Sequence, residues 1–368
     1  MKKKVLFITS RTDMGGGPKH LLQLIENIDN ENFEVYLACP TNKPFYQRYQ
    51  EKVDSGNFFL LEHRVFNFKY LYKLHIFCKR NNILIIHSHG RCAGVFSRFL
   101  KLLCAKRLII HTFHGLNIAE DKSLKTLVRN SVYIFTEKLF SLYTDNFIYV
   151  SKGEEAIAVS KGIVKNIEKN NVIINGVHIP ETPPIKSPKS KSIMKFVVIS
   201  RFDFQKNTEL LIDVLKKMDE VFINVPEKIV FNILGEGEDL YKLKEVIRGM
   251  GKIEVFLHGN VNDPYEFFDE SDFVLNTSRW EGLPLSVIES MARGCIPILT
   301  DVVGNRDIVE NSILMDNLFS SPEAVVKVIE KYLADNIMYH AHVIKTRQLV
   351  QENFNEKTMC NRTFELYN

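Results

Sequence analysis

The sequence predicts an α/β protein built as two doubly wound, Rossmann-like domains. Three observations carry this. Short apolar runs alternate with helical patterns along the chain, a run rich in proline, serine and lysine at 181–192 interrupts the alternation, and the pattern then restarts at similar length. Buried strands separated by helices are the mark of βαβ units and a parallel sheet. A chain of 368 residues also favours two domains over one.

Taken in order, the runs 5–10, 35–39, 83–87, 108–112, 146–150 and 172–174 read as buried strands. The start MKKKVLFITS imitates a signal peptide, but its apolar run is only residues 5–8, and Arg11 and Asp13 follow. It reads as a first strand instead. The run ETPPIKSPKSKS has almost no large apolar residue and reads as a linker. Strands then resume at 195–200, 229–234, 253–258, 272–277 and 295–300. The expected organisation is a first domain over 1–180, a linker over 181–192, a second domain over 193–345 and a terminal helical segment over 346–368. In such sheets ligands bind at the carboxyl ends of the strands.

Composition narrows the classes. Apolar content of 45% and charge of 25% are ordinary for a globular protein. A net charge of +4 does not argue for nucleic acid, and no nucleic-acid module is recognisable. The 6 cysteines show no C-x-x-C pair and read as reduced thiols of a cytosolic chain. No run approaches the ~18 apolar residues of a transmembrane helix, so a membrane role would be peripheral.

The richest stretch is SRWEGLPLSVIESMARGCIPILT, residues 278–300. Glu281 and Glu289 are separated by seven residues, the first before a helix start and the second on the helix. Proline suits a first helical turn, where its missing N–H has no partner to lose. The free amides of a helix start bind phosphate. A lone E-x7-E also occurs in ordinary acidic helices. Here the segment offers an anion cradle at Gly282, Leu283, Pro284 and Leu285, and two carboxylates to accept hydrogen bonds from hydroxyls. Arg201 and Lys206, in SRFDFQKN just past a strand, place a planar fork and a mobile cation where both can face one diphosphate. Gly15-Gly16-Gly17-Pro18 lies between a strand and a helix, where glycines let backbone amides approach a ligand. It is not G-x-G-x-x-G, so the dinucleotide fingerprint is absent. His111-Thr112-Phe113-His114-Gly115 closes a strand, and Gly235-Glu236-Gly237-Glu238 and His258-Gly259-Asn260-Val261 follow two others. His87-Ser88-His89 puts two rings on one strand face, but no Asp-x-Asp or cysteine accompanies them, so no metal is expected.

Together these motifs resemble the family 4 retaining glycosyltransferases (glycosyl transferases group 1), specifically over 196–308 and more loosely over 1–175. The resemblance implies the GT-B fold, two Rossmann-like domains facing across a cleft, with the terminal helix crossing back onto the first. It implies a sugar transferred from a nucleoside-diphosphate-sugar, UDP-sugar favoured, to a hydroxyl, with retention and without a cofactor. Arg201, Lys206 and the amides of 282–285 would hold the diphosphate. Glu281 would bind the donor sugar and Glu289 the ribose. His114 would point at the sugar, Gly16 and Gly17 would lie near the phosphates, Gly235 and Gly237 beneath the nucleotide, and Val261 at the base. At Gly304-Asn305-Arg306-Asp307 the chain departs from the family's Gly-Gly-x-x-Glu: asparagine and aspartate enter the run, and Asp307 is one methylene short of the glutamate. A sugar-nucleotide 2-epimerase of the same fold and a non-catalytic sugar-nucleotide binder are the alternatives.

Residues 63–110 hold ten Lys or Arg and seven Phe or Tyr, with no Asp or Glu. In the predicted helix 94–104, Phe96, Phe99, Leu100 and Leu103 share a stripe, with Arg98 and Lys101 on the surface. The segment is expected to meet an anionic membrane surface or a pyrophosphate-linked acceptor. The expected location is the cytoplasm, at the inner face of a bacterial cell membrane, with a lipid-linked or surface-polysaccharide acceptor.

Overall fold

The structure, a computed structural model, describes residues 2–116, 118, 124–182, 193–225 and 227–368. The predicted linker therefore lies outside the described residues from 183 onward. The chain divides into two compact units, Met1–Asn175 with Glu356–Asn368, and Gly176–Asn355. The helix Asn336–Asn353 runs unbroken through the boundary expected at 345, so residues 346–355 stay with the second unit. Its end comes at Phe354, and only then does the chain supply its last helix, Glu356–Glu365, to the first unit.

The first unit holds seven strands: β1 (Lys3–Thr9), β2 (Phe33–Cys39), β3 (Phe58–Leu60), β4 (Ile85–His89), β5 (Leu108–Thr112), β6 (Asn146–Tyr149) and β7 (Asn170–Val172). All pair parallel, in the order β3-β2-β1-β4-β5-β6-β7. Val5 and Phe7 pack into one core layer, and Leu6 and Ile8 into the other. The strand is thus buried on both faces, which is why it reads as a continuous apolar run. Met359, Cys360 and Tyr367 of the terminal segment join the first of these layers.

Two strands lie two residues away from the sequence reading at both ends. The strand expected at 83–87 is Ile85–His89, because register with β1 runs through Thr9 and His89, while Asn82 turns at φ 54° before it. The strand expected at 172–174 is Asn170–Val172. The short edge strand β3 was not expected; three residues give no alternation to detect.

The second unit holds β8 (Ile193–Ile199), β9 (Lys228–Leu234), β10 (Ile253–Gly259), β11 (Phe273–Asn276), β12 (Ile296–Thr300) and β13 (Leu318–Phe319), in the order β10-β9-β8-β11-β12-β13. In both sheets the order reverses beside the first strand. That reversal opens a crevice at the carboxyl ends, the place where open α/β sheets bind ligands. In the first unit it lies between β1 and β4, and in the second between β8 and β11. Among the described residues, no helix is long and apolar enough to cross a membrane.

Candidate functional site

In the second unit, the loop after β8 carries Arg201 and Lys206. Ser200 N–H still donates to Leu234 O at 3.0 Å, and the chain then reverses through Phe202, buried at φ 42°. Asp203 caps the 3-10 turn Phe204–Lys206 through the Lys206 amide. Asn207, left-handed at φ 55°, caps the helix Thr208–Val221 through the Leu210 amide. Asparagine tolerates that backbone because its short side chain bonds locally.

Gly235 and Gly237 make this loop possible. A Cβ on Gly235 would overlap the Ser200 carbonyl oxygen, and one on Gly237 would lie 2.7 Å from Phe202 O. Gly235 also sits at φ 120°, which disfavours a side chain. Gly235 N–H donates to Gly259 O at 2.6 Å, and Asp239 N–H to Phe202 O at 2.9 Å. The G-x-G turn therefore holds the backbone beside Arg201. Val261 follows β10 at a half-exposed position.

Across the strand-order reversal, the segment after β11 meets this loop. Lys206 Nζ lies 2.5 Å from Glu281 Oε1. The same oxygen accepts from Ser278 Oγ at 2.6 Å and Asn276 Nδ2 at 3.4 Å. Both members of the pair are largely buried, with side-chain exposures of 14% and 7%. Arg201 Nη2 donates to Gln205 Oε1 at 2.8 Å and stands 3.4 Å from Asp203 Oδ2. Gln205 Nε2 donates to Trp280 O, Arg279 N–H to Gln205 O, and Thr277 Oγ1 to Lys206 O, so the two segments are stitched along their length. Lys206 and Glu281 thus come together, while Arg201 is held by its own loop.

The helix Leu285–Ala292 begins at Pro284, without a side-chain cap and without an acidic residue in its first turn. Gly282, Leu283, Pro284 and Leu285 are buried, as is Glu289 further along the helix. Gly304 wedges under this turn: a Cβ there would stand 2.7 Å from Glu281 O.

Asn305 is a site residue that sequence reasoning noticed only as part of a departure. It is fully buried, and its Nδ2 donates to Asn276 Oδ1 at 3.2 Å and to Thr300 O and Oγ1, each at 3.0 Å. Asn276 Oδ1 accepts from Ser278 N–H at 3.0 Å, and Thr300 Oγ1 donates to Ser278 O at 2.7 Å. A chain of polar contacts therefore runs from Asn305 to the Glu281 carboxylate. Asp307 is only partly exposed, on the same helix Val303–Val309.

The first unit gathers imidazoles at its own reversal. Gly16 and Gly17 open the helix Gly16–Asn27, and the Cβ position of Gly17 lies 3.6 Å from the His114 ring. Arg11 braces the loop before them, with Nε and Nη2 on the two oxygens of Asp13 at 2.9 and 2.8 Å, and Nη2 on Met14 O at 3.2 Å. His114 itself turns at φ 64°, and Gly115 N–H is clamped by Glu154 Oε1 at 2.5 Å. The other Glu154 oxygen accepts from Val150 N–H at 2.9 Å. Sequence reasoning passed over this carboxylate, because a glutamate in a first helical turn is ordinary.

His114 Nε2 lies 3.1 Å from His89 Nδ1, and His20 meets the His114 ring edge-on at 4.8 Å between centroids. One ring nitrogen each from His20, His89 and His114 lie within 4.8 Å of one another, so this is the set of described residues able to hold a metal ion. His20 Nδ1 and Nε2 and His89 Nε2 have no partner among the described residues. Burial pushes His114 down to about 4 and His87 down to about 3, and lowers His20, His89 and His111 well below the usual imidazole range. At neutral pH these rings are uncharged, fit to exchange hydrogen bonds with hydroxyls. His87 is committed elsewhere, to Tyr367 Oη at 2.7 Å and Thr112 Oγ1 at 2.8 Å. The H-x-H spacing announced the shared face of His87 and His89; nothing in sequence announced His20 as their neighbour.

The basic segment 63–110 is corrected in one respect. Arg98 is not on the surface but fully buried, 3.2 Å from Glu137 and bonded to Thr144 Oγ1. Lys101 pairs with Asp145 at 2.8 Å, and Arg107 is buried and donates to Leu100 O. Acids distant in sequence neutralise part of a segment that has none of its own.

Residues 14–180 match the family model for Glycosyltransferase Family 4, and residues 180–349 match that for Glycosyl transferases group 1. The O-antigen biosynthesis glycosyltransferase WbnH of Escherichia coli is 27% identical over 96% of this chain and 97% of its own length. The Escherichia coli UDP-Gal:alpha-D-GlcNAc-diphosphoundecaprenol alpha-1,3-galactosyltransferase is 25% identical over 89% and 88%. Among solved structures, Anabaena HepE in complex with UDP and glucose superposes with a TM-score of 0.78 at 16% identity, covering 99% of each chain. With two parallel sheets of reversed order, and matched family models running from 14 to 349, the chain belongs to the group 1 glycosyltransferases of the GT-B fold and is a glycosyltransferase enzyme.

Proposed function

We propose that this enzyme moves a sugar from a nucleoside-diphosphate-sugar, UDP-sugar favoured, to a hydroxyl of a lipid-linked or polysaccharide acceptor in cell-surface glycan biosynthesis. The observation that carries the reading is the Lys206–Glu281 pair at the carboxyl ends of β8 and β11. A carboxylate already held by Lys206, Ser278 and Asn276 is preorganised to accept hydrogen bonds from sugar hydroxyls. Arg201, Lys206 and the amides of 282–285 take the diphosphate, and buried Glu289 takes the ribose. Gly235, Gly237 and Val261 line the nucleotide side. The relatives that build O-antigen and capsular polysaccharide support the acceptor class.

In the reaction, the bond between the sugar's anomeric carbon and the β-phosphate oxygen breaks, and its electron pair leaves with the nucleoside diphosphate. The acceptor oxygen bonds to that carbon from the same face and gives its proton to the departing phosphate oxygen. Retention follows, and no side-chain base is required. Arg201 and Lys206 stabilise the growing charge on the leaving group, the kind of electrostatic contribution worth roughly 10²–10³ in rate per donor. His114, neutral, bonds a sugar or acceptor hydroxyl. The Gly16–Gly17 turn brings backbone amides to the same strand ends.

The test is nucleoside diphosphate release from a panel of UDP-, GDP- and ADP-sugars, with and without a polyprenyl-diphosphate-linked sugar. Acceptor-dependent release with product of retained configuration is expected. Conversion of the donor to an epimer without acceptor would replace the transferase reading with an isomerase one.

A further inference from the structure

The helix Leu124–Phe140 of the first unit packs Tyr133 and Ile134 on the core but turns most of its apolar side chains outward. Its inward stripe is Thr126, Asn130, Tyr133 and Glu137, all buried. Its outward stripe is Leu124, Leu127, Val128, Val132, Phe135 and Leu139, with Phe135 68% and Leu124 78% exposed, and Leu142 continues it just beyond. A surface helix of a globular protein ordinarily does the reverse. An exposed apolar stripe of this size marks an interaction surface.

The orientation is locked. Glu137 accepts from the buried Arg98 at 3.2 Å, and Tyr133 lies under the Arg91 guanidinium at 4.4 Å from the ring centroid. Rolling the helix to hide its leucines would strand the Arg98 charge in the core, a strongly unfavourable outcome. Among the described side chains of the helix, the exposed charges are Arg129 and Lys138, both positive. Its single acid, Glu137, faces inward.

We propose that this face docks onto an anionic phospholipid bilayer, with the helix lying in the interfacial plane and its leucines and Phe135 below the headgroups. The proposal rests on the lipid-linked acceptor reading and names the surface that brings the enzyme to it. An apolar stripe flanked by cations fits an anionic headgroup layer. A twofold contact with a second copy would set Arg129 and Lys138 against their own kind. The segment 63–110 is a weaker candidate, since Arg98, Lys101 and Arg107 are engaged internally.

The full chain is floated with vesicles of phosphatidylglycerol and phosphatidylethanolamine, and with phosphatidylcholine vesicles alone. The wild type should float with the first and much less with the second. Combined Leu127→Ser, Val132→Ser and Phe135→Ser, all on exposed positions, should reduce flotation by at least about tenfold, with vesicle-free cleavage of a UDP-sugar unchanged. The Phe135→Trp variant should shift its emission to the blue on anionic vesicles, against the single native Trp280. Equal flotation of the triple variant, or an unmoved Phe135→Trp emission, would overturn the proposal. So would flotation lost through Lys69→Glu with Lys73→Glu while the triple variant still floats, or a dimer that this face holds together in solution without any flotation. Flotation that persists, and is lost in the triple variant, in a protein that cleaves no donor supports the docking face and sinks the transferase reading alone.

Discussion

After β8 and β11, the second unit sets charge against charge: Lys206 on Glu281, and Arg201 beside Asp203. After β1, β4 and β5, the first unit gathers His20, His89 and His114, uncharged and packed ring against ring. The two crevices share a topology and differ in electrostatics. Under the proposed function, the crevice that takes a diphosphate needs fixed cations, and carboxylate partners hold those cations in place. A site that receives hydroxyls needs donors and acceptors without charge, which burial supplies by keeping imidazole neutral. Under the proposed function, the contrast is one of ligand chemistry set on two sheets of like strand order.

The largest expected effect breaks the charged side. Lys206→Met should lower transfer by roughly 100-fold or more, with donor affinity falling too, while Lys206→Arg should retain part of both. Steady-state kinetics with whichever donor the sugar-nucleotide panel identifies measures this; unchanged kinetics would remove Lys206 from the proposed donor site. Next comes the scaffold beneath it. Gly237→Ala places a methyl against the 201–202 carbonyls, and should cost about 1–3 kcal/mol of stability, the usual penalty for overpacking. Chemical denaturation of the second unit reads it.

Asn305→Ala sharpens the comparison further, because it leaves every charged group in place. Losing the amide that joins Asn276 to Thr300 should cost about 1–3 kcal/mol and lower kcat more than it raises KM, since Glu281 loses its alignment. A drop in stability with kcat intact would make the network structural only.

The smallest effect belongs to the neutral side. For a histidine held below its unfolded value, the unfolded chain binds more protons between the two values. The stabilisation is therefore complete above about pH 6.5 and is lost as pH falls towards the folded value, about 4 for His114 and about 3 for His87. The thermal midpoint should fall by roughly 5 °C or more between pH 7 and pH 5, and combined His20→Gln and His89→Gln should flatten that dependence. A midpoint that rises on acidification would show that these rings are charged in the fold.

Much of this architecture was legible in the residues. Strands buried on both faces, such as β1, read as unbroken apolar runs, and Arg201, Lys206, Glu281 and the G-x-G turn sit within short motifs. What escaped had no local signature. The edge strands β3 and β13 are three and two residues long. Asn305 acts through Asn276 and Thr300, which reach it from the ends of β11 and β12. Arg98 looked exposed because its partner Glu137 lies thirty-nine residues away.

The sequence by itself determined the strand and helix alternation, the placing of cations and carboxylates just past strand ends, and the family. These depend on neighbours within a few residues, where periodicity and turn chemistry act. Only the tertiary structure decided that Lys206 meets Glu281, that three histidines share one crevice, and that the Leu124–Phe140 helix turns its apolar stripe outward. Pairing and burial are set by which distant elements the sheet brings together, and the one buried acid of that helix, held by Arg98, overrules the hydrophobic pattern of the helix itself.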